Sequence, residues 1–381
     1  LSTAKGELPL ASHKFRDTTR SSKVTSTQNP AHTCDMQDFR TTPKVELHRH
    51  LDGSVRFQTI TDLMHQYDLD LGTRDLQALR AQATVTEAMD DLTTVLKSFW
   101  TTQQVLCSYE AIERVAYENV EDAYNDGVKL IELRFAPAFI NYQKPPSNHD
   151  IFRGVIDGVR RGMKDFDVQV GLIVILARSF GVEANSLATG DMLDIISNNE
   201  EGSELLVGFD LADNEGGIDP QPYVPMVRKA RDAGLGVTIH SGEDTDADAV
   251  IRTIRLFEPD RIGHGVKIHG SDAAIGVVKE RDIILEVSPT SNYLTQTVPT
   301  LEAHPLPDLY KSGVKVCINS DDPNLMELDL THEYEVCHEY YGFTDADFAE
   351  MNQWALEKSF LPEEAKARLR PVFAGSEPRR G

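Results

Sequence analysis

The sequence has few cysteines and no long hydrophobic run. Its four cysteines, Cys34, Cys107, Cys317 and Cys337, are widely spaced over 381 residues and form no Cys-x-x-Cys pair. This spacing excludes a disulfide framework. No apolar stretch approaches the ~18–20 residues of a membrane span, and no signal-peptide hydrophobic segment follows Leu1. The composition favours a cytoplasmic protein, although a cleaved secretion signal upstream of Leu1 is compatible with it.

Positive charge is also scarce relative to negative charge. The chain contains 38 Lys and Arg residues against 61 Asp and Glu residues, for a net charge of −23. Binding to nucleic-acid phosphates or to anionic lipids needs basic clusters. The charge balance therefore disfavours nucleic-acid and membrane partners and is explained most simply by solubility. The expected partner is therefore a small molecule. The sequence does not set the oligomeric state, and a monomer is compatible with it.

The sequence predicts one large domain between two loosely ordered ends. Residues 1–40 are rich in Ser, Thr and Lys and lack hydrophobic periodicity, and residues 375–381 are similar. Such segments are typical of disordered or loosely attached termini. The whole chain is 40% hydrophobic, which is enough for a large core. We interpret residues 41–374 as a single domain, because α/β barrels reach ~250 residues or more as one unit.

Eight short runs rich in β-branched residues recur within this domain and alternate with helical patterns. Several runs are apolar on both faces, as expected for strands buried between helices. The alternation predicts an α/β fold, a parallel (β/α)8 TIM barrel. The predicted strands are Lys44–Leu47, Val128–Phe135, Val170–Leu176, Leu206–Leu211, Gly236–His240, Arg261–His264, Ile283–Val287 and Val314–Ile318.

The first crossover, from Gly53 to about Asn125, is much longer than the others. It must hold several helices beyond the one that a (β/α) unit requires. We expect these extra helices to cap the C-terminal mouth of the barrel after strand 1. Active sites of such barrels lie at that mouth, so the residues that end each strand are the functional candidates.

Four histidines lie at the predicted strand ends. His48 and His50 alternate in an extended chain, so both imidazoles point to one side, and His240 and His264 end strands five and six. Neutral imidazole is a common zinc ligand. A His-x-His alone is also compatible with two incidental surface histidines, but convergence at one mouth favours a metal site. Surface or capping roles are expected for the remaining histidines outside the N-terminal segment: His65, His149, His269, His304, His332 and His338.

Acidic residues accompany these histidines. Three histidines and one aspartate fit a catalytic Zn²⁺ site with an open position, at which the pKa of bound water falls to ~7. Asp321 and Asp322 offer one ligand and one neighbour directed at substrate, although with Pro323 they are also a plain turn signal. A histidine that is not a ligand could orient the water or take its proton. Glu243 is a candidate general acid if a partly dry pocket raises its pKa.

As a set, these motifs resemble the adenosine deaminase family over about residues 43–365. The resemblance implies a (β/α)8 barrel with one Zn²⁺ per chain. It also implies hydrolytic deamination of adenosine and 2′-deoxyadenosine to the inosine product and ammonia, a reaction of purine salvage. The similar stretches are Pro43–Gly53, Tyr109–Pro137, Gly208–Glu215, Thr238–Glu243, Arg261–Gly265, Ser288–Asn292 and Asn319–Pro323.

The resemblance also implies a role for each candidate residue. His264 would orient the attacking water and accept its proton, and Glu243 would protonate purine N1. Asp322 would hydrogen-bond purine N7, and Asp52 would hold the ribose 5′-hydroxyl. The implied Zn²⁺ ligands are His48, His50, His240 and Asp321. The positions similar to the family's apolar lid, for which ordinary helix core is the alternative, are Val95, Leu96 and Phe99.

One position departs from the family pattern. The family usually reads Gly-Asp-Glu after the fourth strand, with the glycine amide approaching purine N3, whereas this chain reads Asp213-Asn214-Glu215. A backbone N–H remains at Asp213, but its carboxylate could crowd or recharge the purine edge. The alternative function is therefore deamination of a modified adenosine or another 6-aminopurine metabolite. Glu215 remains a candidate partner of Glu243 or part of the pocket wall.

Two other function classes are weighed against the sequence. Related two-metal barrel hydrolases usually carry a bridging carboxylated lysine at strand four, but here strand four ends in Asp210-Leu-Ala-Asp-Asn-Glu, without lysine. An inactive binding protein would have lost a metal ligand or Glu243, and none is lost. The sequence therefore favours the mononuclear zinc deaminase.

Overall fold

The computed structural model describes residues 38–89, 92–142 and 145–374, and of residues 92–94, 96 and 97 it describes only the backbone. The predicted loose ends lie outside the described residues, except for residues 38–40. The interpretation of residues 41–374 as a single domain stays a prediction.

Eight parallel strands form a barrel in which each strand pairs with the next along the chain. Backbone hydrogen bonds join the segment that follows the last strand to the first strand: His50 N donates to Asp321 O at 2.8 Å, and Asp321 N donates to His48 O at 3.1 Å. The predicted TIM barrel is confirmed, and the largest boundary error is at β1, which continues beyond Leu47. The strands are β1 Lys44–His50, β2 Val128–Phe135, β3 Gln169–Ala177, β4 Leu206–Ala212, β5 Gly236–Ser241, β6 Arg261–His264, β7 Ile284–Val287 and β8 Lys315–Ile318.

Helices surround the barrel and bury the outer faces of its strands. Many begin with a side chain that accepts a hydrogen bond from the first turn; Ser108 and Ser147 do this for α4 and α6. The helices are α1 Phe57–Gln66, α2 Leu76–Ala83, α3 Leu92–Val105, α4 Tyr109–Asn125, α5 Pro137–Ile140, α6 Asn148–Asp165, α7 Gly181–Ser197, α8 Val224–Asp232, α9 Ala247–Phe257, α10 Asp272–Glu280, α11 Pro289–Leu294, α12 Leu306–Lys311, α13 Leu330–Tyr341, α14 Asp345–Lys358 and α15 Glu363–Phe373.

The crossover between β1 and β2 contains α1 to α4, so the predicted extra helices are present. Helix α3 lies over the C-terminal ends of the strands, because its Val95 and Phe99 line a cavity together with His240 and Asp321. Within the described ranges, no helix has both the length and the apolar character that a bilayer crossing requires.

The barrel strands carry a buried ionic network among their apolar residues. Arg134 of β2 contacts Asp210 of β4 and Glu286 of β7, each at 2.8 Å. Arg261 of β6 contacts Glu286 at 2.6 Å. Each of these side chains is fully buried, where an unpaired charge would be strongly destabilising. The network therefore fixes the carboxylates of Asp210 and Glu286 beneath the C-terminal mouth.

Candidate active site

The end of β1 places two histidines against the end of β8. Nε2 of His48 lies 3.2 Å and Nε2 of His50 3.3 Å from Oδ1 of Asp321. The side chain between the histidines, Arg49, instead forms a 2.9 Å ion pair with Glu46. The two imidazoles therefore share one direction, as the strand alternation predicts.

His240 and His264 complete a four-histidine cluster. The ring centroids of His48 and His240 are 4.6 Å apart, and those of His240 and His264 are 5.2 Å apart. Candidate ligand atoms lie within 4.8 Å of one another in two overlapping groups, His48–His50–His240 and His48–His264–Asp321. Nε2 of His48 is buried and lies 3.2 Å from Oδ1 of Asp321 without forming a hydrogen bond. Two ligand atoms that face each other without bonding, and the mixed N and O donor set, fit Zn²⁺.

Two buried carboxylates orient the rings of His48 and His240. Nδ1 of His48 is 2.9 Å from Glu286, and Nδ1 of His240 is 2.9 Å from Asp210. This pairing leaves Nε2 of each ring for a metal. Burial lowers the pKa of both histidines, which favours the neutral form that binds metals. Burial disfavours ionisation of Glu286, but Arg134 and Arg261 outweigh it and hold the pKa of Glu286 well below its usual range.

Sequence reasoning missed Asp210, Glu286 and Arg134 as site residues. The signal for Asp210 and Glu286 was a charged residue inside an otherwise apolar strand, since such residues are almost never buried unless paired. Their partners lie far away in sequence; 238 residues separate His48 from Glu286.

Replacing Glu286 with Gln should weaken zinc binding about 10–100-fold, because the amide supports the His48 ring less strongly than the carboxylate does. Competition with a chelator measures the zinc affinity, and thermal unfolding reports the state of the fold. Glu118→Gln, which changes a buried carboxylate on α4, is the matched control and should keep wild-type affinity. Unchanged zinc affinity in a folded Glu286→Gln variant would contradict the orienting role.

Glu243 lies beside His264 in the catalytic cavity, a space of about 50 Å³ between α3 and the strand ends. Its Oε2 is 3.4 Å from Nε2 of His264. Burial, the largest cause, raises the pKa of Glu243 to about 7. A carboxyl group with this pKa keeps its proton in a useful fraction of molecules at neutral pH, as a general acid requires.

A chain of hydrogen bonds fixes the orientation of His264. The backbone N–H of Leu306 donates to Nδ1 of His304 at 3.0 Å, so the neutral His304 ring carries its proton on Nε2, 3.2 Å from Oδ1 of Asn292. The amide nitrogen of Asn292 then donates to Nδ1 of His264 at 3.0 Å. Neutral His264 therefore carries its proton on Nε2, the nitrogen that faces Glu243.

His304 corrects the expectation of a surface position. It is 4% exposed, and burial lowers its pKa to about 3. The expected capping role is present, because its Nδ1 accepts from Leu306 at the first residue of α12. His304 is buried because it links α12 to Asn292, a contact that sequence spacing does not reveal.

Glu215 clamps the loop that carries Glu243. Its carboxylate accepts from the backbone N–H groups of Gly242 and Glu243 at 2.9 Å each and of Asp244 at 3.2 Å, and it also accepts from the Thr245 hydroxyl. Burial opposes ionisation of Glu215, but Arg178 and these hydrogen bonds outweigh burial and lower its pKa. The partner of Glu215 is therefore the backbone around Glu243.

Replacing Glu215 with Gln should lower kcat up to about 100-fold while leaving zinc content unchanged, because the amide would present N–H groups to backbone donors and displace Glu243. Steady-state kinetics and metal analysis test this. Asp219→Asn, an exposed change in the same loop, should behave like the wild type. Wild-type kcat in Glu215→Gln would show that the clamp does not position Glu243.

Asp213, at the position where the family has glycine, adopts φ +75°. This left-handed region favours glycine, although aspartate tolerates it better than most residues. Its carboxylate accepts from the backbone N–H groups of Ser179 at 2.8 Å and Asn214 at 2.6 Å. Both carboxylate oxygens are thus engaged by the protein, although Asp213 still lines the catalytic cavity.

Asp52 and Asp322 are buried carboxyl groups at the mouth of the barrel. Oδ2 of Asp52 accepts from Gln103, whereas Oδ1 of Asp52 and Oδ1 of Asp322 find no partner among the described residues. Burial raises the pKa of both groups, and in Asp322 nearby negative charges reinforce it. Gly53 leaves the room that Asp322 occupies, since a Cβ there would lie 1.8 Å from its Oδ1. Unpaired buried oxygens indicate a polar ligand.

The structure describes the side chains of two of the three residues assigned to the apolar lid. Val95 and Phe99 are buried and line the catalytic cavity, and they also pack in a hydrophobic cluster with Ala136 and Leu325. They therefore belong both to the cavity wall and to the helix core. The side chain of Leu96 lies outside the described residues.

Comparisons with known proteins agree with the geometry. The sequence model of the family described as Adenosine deaminase matches residues 43–373. Adenosine deaminase from Serratia proteamaculans is 38% identical over 333 residues, covering 87% of this chain and 98% of that protein.

Two solved structures share the fold. An amidohydrolase from Burkholderia ambifaria with bound Zn has a TM-score of 0.77 at 25% identity, covering 88% of this chain and 90% of that one. An adenine deaminase from Arthrobacter aurescens also has a TM-score of 0.77, at 23% identity, covering 87% of this chain and 98% of that one. The resemblance seen in the motifs is confirmed, and the chain belongs to the adenosine deaminase family.

Proposed function

We propose that this protein hydrolyses the 6-amino group of adenosine and 2′-deoxyadenosine with one Zn²⁺ per chain, releasing ammonia. The observation that carries the proposal is the convergence of three histidines and Asp321 beside Glu243, whose pKa burial raises to about 7. Membership of the adenosine deaminase family supports it.

The metal site is proposed to use four side chains from three strand ends. When bound, Zn²⁺ supplies Lewis acidity that lowers the pKa of a water to about 7. Glu286 and Asp210 hold the His48 and His240 rings with Nε2 directed away from these carboxylates. The proposed ligands are His48, His50, His240 and Asp321.

Glu243 is proposed to protonate purine N1, which makes C6 electrophilic. The water oxygen bonds to C6, the bond between C6 and the amino nitrogen breaks, and ammonia leaves. Of the two water protons, one completes ammonia and the other restores the acid form of Glu243. His264 is proposed to orient the water from Nε2. Because Asn292 holds Nδ1 of His264 as an acceptor, acceptance of the water's proton by the neutral ring would require reversal of the Asn292 amide. The geometry therefore favours the orienting role of His264 over the role of base.

Three groups are proposed to hold the substrate. Asp322 would donate to purine N7, which suits a carboxyl group whose pKa burial and neighbouring charges raise. Asp52 would accept from the ribose 5′-hydroxyl through its unpaired Oδ1. The backbone N–H of Asp213 would face purine N3.

A second candidate is deamination of another 6-aminopurine, and the carboxylate of Asp213 at the cavity wall is the observation that favours it. The test is to mix the zinc-loaded protein with adenosine, 2′-deoxyadenosine, AMP and free adenine and to follow the purine absorbance. We expect turnover of the two nucleosides. Turnover of AMP or adenine without turnover of adenosine would confirm the chemistry and replace the substrate.

A further inference from the structure

A larger cavity of about 250 Å³ adjoins the catalytic cavity of about 50 Å³. Four aromatic side chains, Phe99, Trp100, Phe139 and Phe180, form much of its wall, and we refer to it as the aromatic chamber. Phe139 and Phe180 stack with centroids 4.6 Å apart, and Trp100 meets Phe139 edge-on at 5.3 Å. The aromatic contacts make the chamber wall a continuous apolar surface.

The chamber continues the proposed substrate site on the ribose side. His50, Phe99 and Asp213 line both cavities, whereas Asp52 lines only the chamber and Glu243 only the catalytic cavity. If purine C6 lies near Glu243 and the 5′-hydroxyl lies at Asp52, the 5′ carbon stands at the entrance of the chamber. A group attached to that carbon extends between the aromatic rings.

The residues that line the chamber disfavour a negatively charged group on the 5′ carbon. Among its described lining residues there is no Lys or Arg, and Asp52 and Asp213 bring carboxyl groups. The guanidinium of Arg178 is committed nearby, donating at 2.8 Å to each of the backbone oxygens of Asp213 and His240. The described lining therefore offers no Lys or Arg to a 5′-phosphate, whereas an apolar group would be removed from water against aromatic rings.

We infer that the protein deaminates 6-aminopurine nucleosides that carry an uncharged apolar group at the 5′ position, such as an alkylthioether. This inference rests on the proposed function. The reaction is unchanged: the water oxygen bonds to C6, the bond from C6 to the amino nitrogen breaks, and ammonia leaves with one of the water protons. The other water proton restores Glu243, and the 5′ substituent is retained. The chamber supplies the affinity for that substituent.

The test compares two substrates of the zinc-loaded protein, 5′-deoxyadenosine and 5′-isobutylthio-5′-deoxyadenosine. Neither can donate a 5′-hydroxyl hydrogen bond to Asp52, so they differ in the apolar extension alone. We expect about tenfold higher kcat/KM for the thioether, through a lower KM. AMP should be poorer than adenosine by roughly 100-fold, because the described chamber lining offers its phosphate no Lys or Arg.

The outcomes separate the inference from the proposed function. If adenosine is deaminated but the thioether is no better than 5′-deoxyadenosine, the inference is overturned and the proposed function stands. If adenosine, 5′-deoxyadenosine and the thioether all fail in the zinc-loaded protein, the proposed function itself is overturned.

Variants locate the effect in the chamber. Phe180→Ala should lower the preference for the thioether, measured as its kcat/KM divided by that of 5′-deoxyadenosine, by about tenfold. Trp100→Ala repeats the test at a residue that is 42% exposed, so the core is not disturbed. Leu187→Ala is the matched control, an exposed apolar residue on the adjoining helix α7, and should keep the wild-type ratio. A wild-type ratio in both chamber variants would overturn the assignment.

Discussion

Glu243→Gln is expected to keep its zinc and to lose about 10²–10⁴-fold in kcat, the range that general acid–base catalysis contributes. Glutamine has nearly the same shape as the acid form of Glu243, and its amide can donate a hydrogen bond but cannot transfer a proton to purine N1. The hydrogen bonds from the backbone around residue 243 to Glu215 do not involve the replaced side chain, so the loop should stay in place.

The measurement pairs turnover of adenosine with metal analysis of the same sample. Glu204→Gln makes the same change at an exposed carboxylate and should leave both quantities at wild-type values. Near-normal turnover by Glu243→Gln would show that another group protonates the purine. Loss of zinc from the variant would instead show that Glu243 belongs to the metal site.

Glu215→Gln should lose less kcat than Glu243→Gln, because Glu215 positions the acid whereas Glu243 supplies the proton. Glu215 touches the backbone of the loop and the Thr245 hydroxyl, so its loss displaces an intact acid. A displaced acid still transfers protons in a fraction of molecules, and the expected effect is accordingly smaller. Equal losses in the two variants would mean that the loop cannot hold Glu243 at all without its clamp.

The elements that a single sequence predicts well here are those governed by local pattern. The alternation of apolar strands and helices predicted the barrel, and strand ends predicted the convergence of His48, His50, His240 and His264 at one mouth. Both follow from periodicity and from the common edge at which parallel strands end. Neither requires knowledge of which side chains touch.

The residues that the sequence did not identify depend on contacts between distant strands. Glu286 and Asp210 orient two histidines from β7 and β4, but within their own strands they are only isolated charges. The direction of the Asp213 carboxylate depends on a positive φ that places it against the Ser179 N–H. His304 is buried because α12 packs there. These contacts join residues that are distant in sequence, so only the tertiary structure identifies them.

His240→Ala is expected to lose zinc, and with it deamination, to a greater extent than a variant of Glu286 or Asp210, the carboxylates that orient the histidines. The substitution removes one of the three histidines in the proposed ligand set, and it also leaves the Asp210 carboxylate without the ring that lies 2.9 Å away. Its loss of zinc affinity should be larger than the loss of about 10–100-fold that follows when a residue hydrogen-bonded to a metal ligand is removed. Metal analysis after dialysis against buffered zinc gives the stoichiometry, and His149→Ala, at a surface histidine that is 61% exposed, is the control.

The order of the losses tests the proposed ligand set more strictly than any single variant. If His240 binds the metal and Glu286 only orients His48, His240→Ala must fall well below Glu286→Gln in zinc affinity while both remain folded. Stoichiometric zinc in His240→Ala would remove it from the ligand set and leave His48, His264 and Asp321 as the alternative group that the geometry allows. Because His264 is held by Asn292 through Nδ1, that alternative predicts that Asn292→Ala also weakens zinc binding, which the proposed ligand set does not predict.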